Sequence, residues 1–424
     1  MKLIGLVDVN NFFVSCERIF NPKLLNKPTV VLSNNDGCVI ARSEEAKALG
    51  VKMAIPLHKV PNVVKNQLNC CSSNFMLYDD ISNRVVAELK SLTPEITPYS
   101  IDEAFIIKKV DNIEQAKDFG QKVVNNIYQH LSLPVCVGFA PTKTLAKLSN
   151  HIAKKNPQLQ GVYVWGTNPD FESQLLAQTS VSEIWGVGRK IVKQLNLLGI
   201  ETIADLQAAD PNFIRKKFSV ILMRTALELN GIPCIEDIKH KHQQSLIYSR
   251  AFATEVYTKT EMQKVIVEYT QKAIMKLRRH GLLAGATRIF ASTSYYGSKD
   301  NYVSFAKDTE LKPASADIVT ITKIHKELLD KAFEKPAPYV RAGITFYNLI
   351  PKGYQEAFEI FDDKALHKLQ DVYEDINYTH GYNTLIWGAT NLSSVTKKWL
   401  SKGNNRSPDY VSDWNEIPQA RIKL

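Results

Sequence analysis

Two long amphipathic segments set among short apolar runs constrain the first third of this chain more than any other feature. Apolar residues recur at helical spacing at Leu77, Ile81, Val85, Leu89 and Leu92, and again at Ala116, Phe119, Val123, Ile127 and Leu131. Around them lie β-prone runs at 2–9, 28–32, 95–107, 134–140 and 161–165. The turn Asn34-Asn35-Asp36-Gly37 separates two such runs and predicts a hairpin between Val31 and Ile40. A short helix is expected from Ser43 to Leu49, stopped by Gly50, and a longer one from Thr142 to Lys155. Strands alternating with two amphipathic helices predict an α/β sandwich of the split βαβ kind.

The rest of the 424 residues requires more than one domain. A helical region is expected from Phe171 to Pro233, with IWGVGRKIVKQLNLLGIETIADL at its centre, and the polar stretch IEDIKHKHQQ reads as a linker. From Ser245 to Ile350 the strand-like segments LIYSRAF, TRIFASTSYY and YVRAGITFYNLI alternate with two helical ones, a second α/β unit. The chain carries 53 Lys and Arg against 43 Asp and Glu, a net +10, and +8 of it falls between Lys239 and Arg341. That concentration marks the second unit as the candidate phosphate-backbone surface.

Several classes are excluded. With 44% hydrophobic residues the chain is not a disordered tail, and no uncharged apolar run of about 18 residues is present to span a membrane. The opening MKLIGLVDVNNFF has the charge and apolar stretch of a signal peptide, but Asp8 interrupts it, and it reads as a first strand. Cys16, Cys38, Cys70, Cys71, Cys136 and Cys234 contain no C-x-x-C pair, which points to reduced thiols in a cytoplasmic protein and away from structural zinc.

Asp8 ends the first apolar run, and Asp102 and Glu103 fall in a later strand pair. Carboxylates are costly in such places unless a cation is shared among them. Three together are suited to two divalent ions about 3.5–4 Å apart, which serve an in-line phosphoryl displacement, and Mg²⁺ favours carboxylate and phosphate oxygens. The bland reading has Asp8 capping a turn and Asp102-Glu103 on a solvated edge. Lys47, Lys154 and Arg42 follow the same segments and are candidates to neutralise a triphosphate, or are ordinary surface charges. Gly186-Val187-Gly188, followed by Arg189 and Lys190, is either a phosphate-gripping hairpin at a helix start or a plain turn between helices.

DVNNFFVSCE, VVLSNNDGCVIARSEEAKALGVKM, YSIDEAF, VGFAPTKTLAKLSNHIAKK and IWGVGRK, in that order, closely resemble the Y-family translesion DNA polymerases of the UmuC type, which supply the catalytic subunit of DNA polymerase V. The likeness extends over nearly the whole chain, to the C-terminal NRSPDY. It implies a right-hand architecture without a proofreading exonuclease: palm at 1–24 and 76–168, small fingers at 25–75, helical thumb at 169–238, α/β little finger at 239–350, and a clamp- and partner-binding tail at 351–424. It also implies a low-fidelity, template-directed polymerase of the SOS damage response that copies past damaged bases using two Mg²⁺ ions, dNTPs and primer-template DNA. Its partners would be a processed UmuD-like subunit, a recombinase filament and the sliding clamp.

Carried over by position, Asp8, Asp102 and Glu103 would be the catalytic metal ligands, with the Val9 carbonyl as a further one. Lys154 would touch the incoming triphosphate. Lys47 stands where many relatives have arginine, and Glu44 where some have a triphosphate-binding tyrosine. Phe13 matches the steric-gate position that excludes ribonucleotides. Gly186, Gly188, Arg189 and Lys190 would form the thumb's helix-hairpin-helix. Phe358, Ile360 and Phe361 fall in the clamp motif, from which the chain departs because Ala357 replaces the usual glutamine and Gln355 is out of register. Two other classes compete: a nucleotidyl cyclase on a palm-like sheet, disfavoured by the basic second unit and hairpin, and a degenerate DNA-binding accessory protein, disfavoured by the intact carboxylate trio.

Overall fold

The computed structural model describes residues 1–236, 243–295, 302–353, 364–380, 384–385, 399–400, 402–411 and 413–418. The chain forms two compact units, Met1–Asp237 together with Asn404–Leu424, and Ile238–Gly403.

The first unit contains β1 (Lys2–Val9), α1 (Phe12–Phe20), β2 (Thr29–Leu32), β3 (Val39–Arg42), α2 (Glu44–Ala48), α3 (Asn62–Lys65), β4 (Asn69–Ser72) and α4 (Phe75–Leu92). These are followed by β5 (Ile96–Pro98), β6 (Glu103–Lys109), α5 (Ile113–Leu131), β7 (Val135–Ala140), α6 (Lys143–Lys155) and β8 (Val162–Val164). Helices α7 (Pro169–Gln178), α8 (Arg189–Asn196), α9 (Ile203–Ala208), α10 (Pro211–Lys217) and α11 (Val220–Leu229) complete it.

Its main sheet has the order β5-β6-β1-β7-β8, with β1 in the middle. Strand alternation divides β1 between two faces. Leu3, Val7 and Val9 pack with Leu77, Ile81, Val85 and Leu89 of α4 and with Ala116, Val123 and Ile127 of α5. Leu6 faces the other way, into a core with Leu145 and Leu148 of α6. The helical spacing in the sequence marked α4 and α5, and their apolar stripes are the buried ones.

A smaller sheet, β3-β2-β4, holds the expected hairpin, with Val31 opposite Ala41. Ser43 caps α2 through the Ala46 amide, and Gly50 leaves the helix at φ +79°. Helix α1 and strand β4 had no signal in the sequence. Helix α1 starts directly after β1, so Phe12 and Phe13 do not lie in an extended segment. Asn11 takes a left-handed conformation at φ 51°, which asparagine tolerates, and this turns the strand into the helix. Strand β4 is short and polar, NCCS, and is made by parallel pairing to β2.

The second unit comprises β9 (Ser245–Val256), α12 (Lys259–Arg279), β10 (Leu282–Thr293), β11 (Ser304–Ser315), α13 (Ile318–Ala332), β12 (Tyr339–Pro351) and α14 (Lys364–Thr379). Its sheet has the antiparallel order β11-β10-β12-β9. Residues of α12 and α13 share one core with the inward residues Ile289, Ala291, Ile344 and Phe346. The sequence reading lacked β11, because its run SFAKDTELKPAS is mostly exposed and charged, as an edge strand permits.

Candidate active site

Antiparallel pairing of β1 with β6 places Asp8 directly opposite Glu103. Cross-strand partners point to the same face, so both carboxylates stand on the Leu6 side of the sheet, toward α6. Asp102 precedes β6. Its carbonyl accepts the Val9 amide at 3.0 Å, and its Oδ1 accepts the Ser100 hydroxyl at 2.5 Å.

Helix α6 supplies the opposing charge. Gly138 of β7 makes this possible, because a Cβ there would collide with the Asn150 amide nitrogen and the Ala146 carbonyl. The helix therefore lies directly on the strand, and Asn150 bonds the carbonyls of Leu6 and Cys136 at 3.2 and 2.8 Å. At its other end, the buried Glu228 of α11 accepts the Thr144 amide and hydroxyl at 2.9 and 2.8 Å, satisfying free helix donors with a negative charge. Lys147 and Lys154, two turns apart, reach over the sheet end. Lys154 Nζ contacts Asp8 Oδ1 at 2.5 Å, and Lys147 Nζ contacts both Glu103 oxygens at 2.8 and 3.0 Å.

Asp8, Glu103, Lys147 and Lys154 line a cleft of about 300 Å³ with Thr144, His151, Thr179, Glu183 and Trp185. Lys147 also lies over the rings of Tyr99, at 4.7 Å, and Trp185, at 5.3 Å, and Trp185 donates to the Tyr99 hydroxyl at 2.9 Å. Burial pushes the Asp8 carboxyl above its usual range, Glu103 and Asp102 push the same way, and Lys154 opposes them. His151 is held below its ordinary value by burial and by the nearby Lys155. Sequence reasoning missed Lys147, Tyr99, Ser100 and Trp185. The seven-residue spacing of Lys147 and Lys154 was the signal available, since it places both on one helix face.

The remaining predicted residues lie elsewhere in the fold. Phe12 is buried, while Phe13 is partly buried and stacked on Tyr78 at 4.5 Å, with Phe75 edge-on at 5.9 Å. Arg42 donates to the Val51 carbonyl at 2.6 Å, and its buried Nε has no acceptor among the described residues. Lys47 pairs with Glu44 at 2.7 Å, and Asn11 donates to the same Glu44 oxygen. Gly186, at φ +85°, and Gly188 flank the buried Val187 in a turn that presents Arg189 and Lys190 at the exposed start of α8. The element before this turn is a single 3-10 turn, Val181–Glu183, in place of a full first helix. Phe358, Ile360 and Phe361 lie outside the described residues.

The donor set suits a hard divalent cation. Asp8, Asp102 and Glu103 offer carboxylate oxygens at one sheet end, close enough that Glu103 and Asp102 add to the effect of burial in raising the Asp8 carboxyl. Among the described residues no three His, Cys, Asp or Glu side chains are closed into a metal cage. Lys147 and Lys154 supply the positive charge instead.

The chain is similar to known proteins along most of its length. The impB/mucB/samB family matches residues 7–151, its C-terminal domain 243–357, and a domain of unknown function 367–420. Protein UmuC of Salmonella typhimurium LT2 is 37% identical, covering 98% of this chain and 99% of that protein. DNA polymerase IV 1 of Bacillus subtilis 168 is 25% identical over 97% of this chain and 98% of its own. Among solved structures, a Y-family polymerase chimera of Dbh and Dpo4 aligns with a TM-score of 0.63 at 25% identity, covering 82% of this chain and 99% of its own. The fold is that of a Y-family DNA polymerase, with palm, fingers, thumb and little finger. Within that class, the chain belongs to the impB/mucB/samB family, the UmuC type.

Proposed function

We propose that the protein is a template-directed, error-prone DNA polymerase that extends a primer past damaged bases. The observation that carries this reading is the pairing of Asp8 with Glu103 beneath Lys154 and Lys147, at the end of the palm sheet of a UmuC-type chain. Asp8, Asp102 and Glu103, with the Val9 carbonyl, would hold two Mg²⁺ ions, which when bound activate the primer hydroxyl and stabilise the leaving pyrophosphate. Lys154, released from Asp8, would meet the triphosphate, and Arg42 and Lys47 offer further cations near the fingers hairpin. Phe13 would stand beneath the sugar. Gly186, Gly188, Arg189 and Lys190 present backbone donors and charge to the DNA phosphates, and the basic little finger adds a second grip.

UmuC of Salmonella typhimurium is similar along its whole length, which supports a processed UmuD-like subunit and a recombinase filament as partners in a cytoplasmic SOS response. The sliding clamp would engage Phe358, Ile360 and Phe361 weakly, as Ala357 removes a polar anchor. No helix among the described residues is long and apolar enough to cross a membrane. The test is primer extension with purified protein and Mg²⁺ on plain and abasic templates, with and without those partners. Extension opposite the abasic site is expected, and a protein inert under every condition would reject the reading.

A further inference from the structure

Residues 404–411 return to the first unit and join its smaller sheet at the β4 edge. The Ser72 amide donates to the Asn405 carbonyl at 2.9 Å, Ser72 pairs with Arg406 in parallel, and the Asn405 amide donates to the Ser72 hydroxyl at 3.0 Å. Tyr410 stacks on Phe20 of α1 at 4.6 Å. These contacts place Ser407 against Asn74, the buried cap of α4.

A directional chain of hydrogen bonds begins there. Asn74, whose Oδ1 caps α4 through the Leu77 amide, donates from Nδ2 to the Ser407 hydroxyl at 3.0 Å. Ser407 donates to Glu17 Oε1 at 3.2 Å, and Tyr78 donates to the same oxygen at 2.7 Å. Glu17 is 3% exposed, and without these two donors its carboxylate would be buried with less compensation. Tyr78, fixed by this bond, is the ring on which Phe13 stacks.

We propose that residues 404–411, within the region matched as a domain of unknown function, are an internal brace that holds Phe13 in its place between Tyr78 and Phe75 through Ser407, Glu17 and Tyr78. Ser407, Glu17 and Tyr78 are positioning residues. They touch no substrate and act through the Phe13 ring. The consequence for sugar choice rests on the reading of Phe13 as the gate; the brace itself rests on the contacts. A partner that peeled this segment from the β4 edge would loosen Phe13 without touching the cleft.

The test uses the full chain labelled with fluorophenylalanine, the Phe13 signal being assigned by its loss in Phe13→Leu. Ser407→Ala is expected to shift that signal and to lower the dNTP-over-rNTP ratio of kcat/KM about fivefold, the worth of one hydrogen bond. Ser407→Thr, which keeps the hydroxyl, restores both. An unmoved Phe13 signal in Ser407→Ala overturns the brace, whatever happens to the melting temperature. If Phe13→Ala discriminates as well as the parent while the signal still shifts in Ser407→Ala, the brace stands and the gate reading fails.

Discussion

Lys154 Nζ lies 2.5 Å from Asp8 Oδ1, so a helix of the sheet's second face neutralises a carboxylate that the middle strand carries toward the cleft. The pair does not fully offset burial, since the Asp8 carboxyl remains above its usual value of 3.8. A raised folded value means that ionised Asp8 works against folding. Its contribution is favourable at low pH and is lost as the pH rises through the folded value. Asp8→Asn should therefore melt a few degrees above the parent at neutral pH while losing activity. The gap should close as the pH falls through the raised value toward 3.8. Melting curves of both proteins from about pH 4 to about pH 8 check this. A parent more stable than the variant at neutral pH would show that the Lys154 pair outweighs desolvation.

Asp102 tests the metal assignment more cleanly, because it lies before β6 with its carboxylate bonded to Ser100. Asp102→Asn removes charge but little volume. Nucleotide addition should fall by several orders of magnitude, with DNA affinity and melting temperature close to the parent's. Substantial extension by the purified variant would remove Asp102 from the metal site.

Gly138→Ala probes the seat of α6. The added methyl meets backbone atoms of Ala146 and Asn150, which cannot swing aside as a side chain would, so the helix must move. A stability loss of about 1–3 kcal/mol is expected from such overpacking. The movement also carries Lys147 and Lys154 away from Glu103 and Asp8, so kcat should fall further than the lost stability explains. Chemical denaturation and steady-state extension on one preparation separate the two effects, and a variant with parental kcat would refute the helix-seating argument.

What could be read from the residues follows from the range of the interactions involved. The stripes of α4 and α5 were legible because a buried helix face repeats every three to four residues, and Ser43 and Gly50 marked α2 by local capping chemistry. The motifs picked out Asp8, Asp102 and Glu103, but the register that sets Asp8 against Glu103 is a contact across 95 positions of chain. Lys147 was legible only through its seven-residue spacing from Lys154, and Trp185 was invisible as a site residue because it becomes one only through tertiary packing. The Ser407–Glu17 bond joins groups 390 positions apart, and no periodicity or turn chemistry encodes it.

The second unit's grip on DNA can be tested on its open sheet face. Arg288 and Arg341 lie on β10 and β12, on the side away from the core shared with α12 and α13. Arg341 bonds Ser249, and Arg288 lies over Tyr347 with Asp308 at 3.4 Å. If both contact phosphates, Arg288→Ala/Arg341→Ala should make the log affinity against log salt shallower by about 1.8, at about 0.9 per phosphate contact. Fluorescence anisotropy with duplex DNA across a salt series measures the slope. An unchanged slope would place the contacts on other residues.

Phe12 and Phe13 divide two roles between adjacent rings. Both sit in the first turn of α1, where successive side chains point about 100° apart, so one can enter the core while the other does not. Phe12 is 4% exposed in the main palm core, whereas Phe13 packs partly exposed between Tyr78 and Phe75. Ribonucleotides differ from dNTPs by one hydroxyl, which a site rejects most readily by a clash. Phe13→Ala should admit ribonucleotides with modest loss of stability. Phe12→Ala should cost about 3–5 kcal/mol as a buried aromatic truncation and leave sugar preference near the parent's. The measurement is kcat/KM for dNTP over rNTP in each variant, alongside denaturant midpoints. A Phe13→Ala enzyme that remains active and discriminates as the parent does would move the gate to another residue.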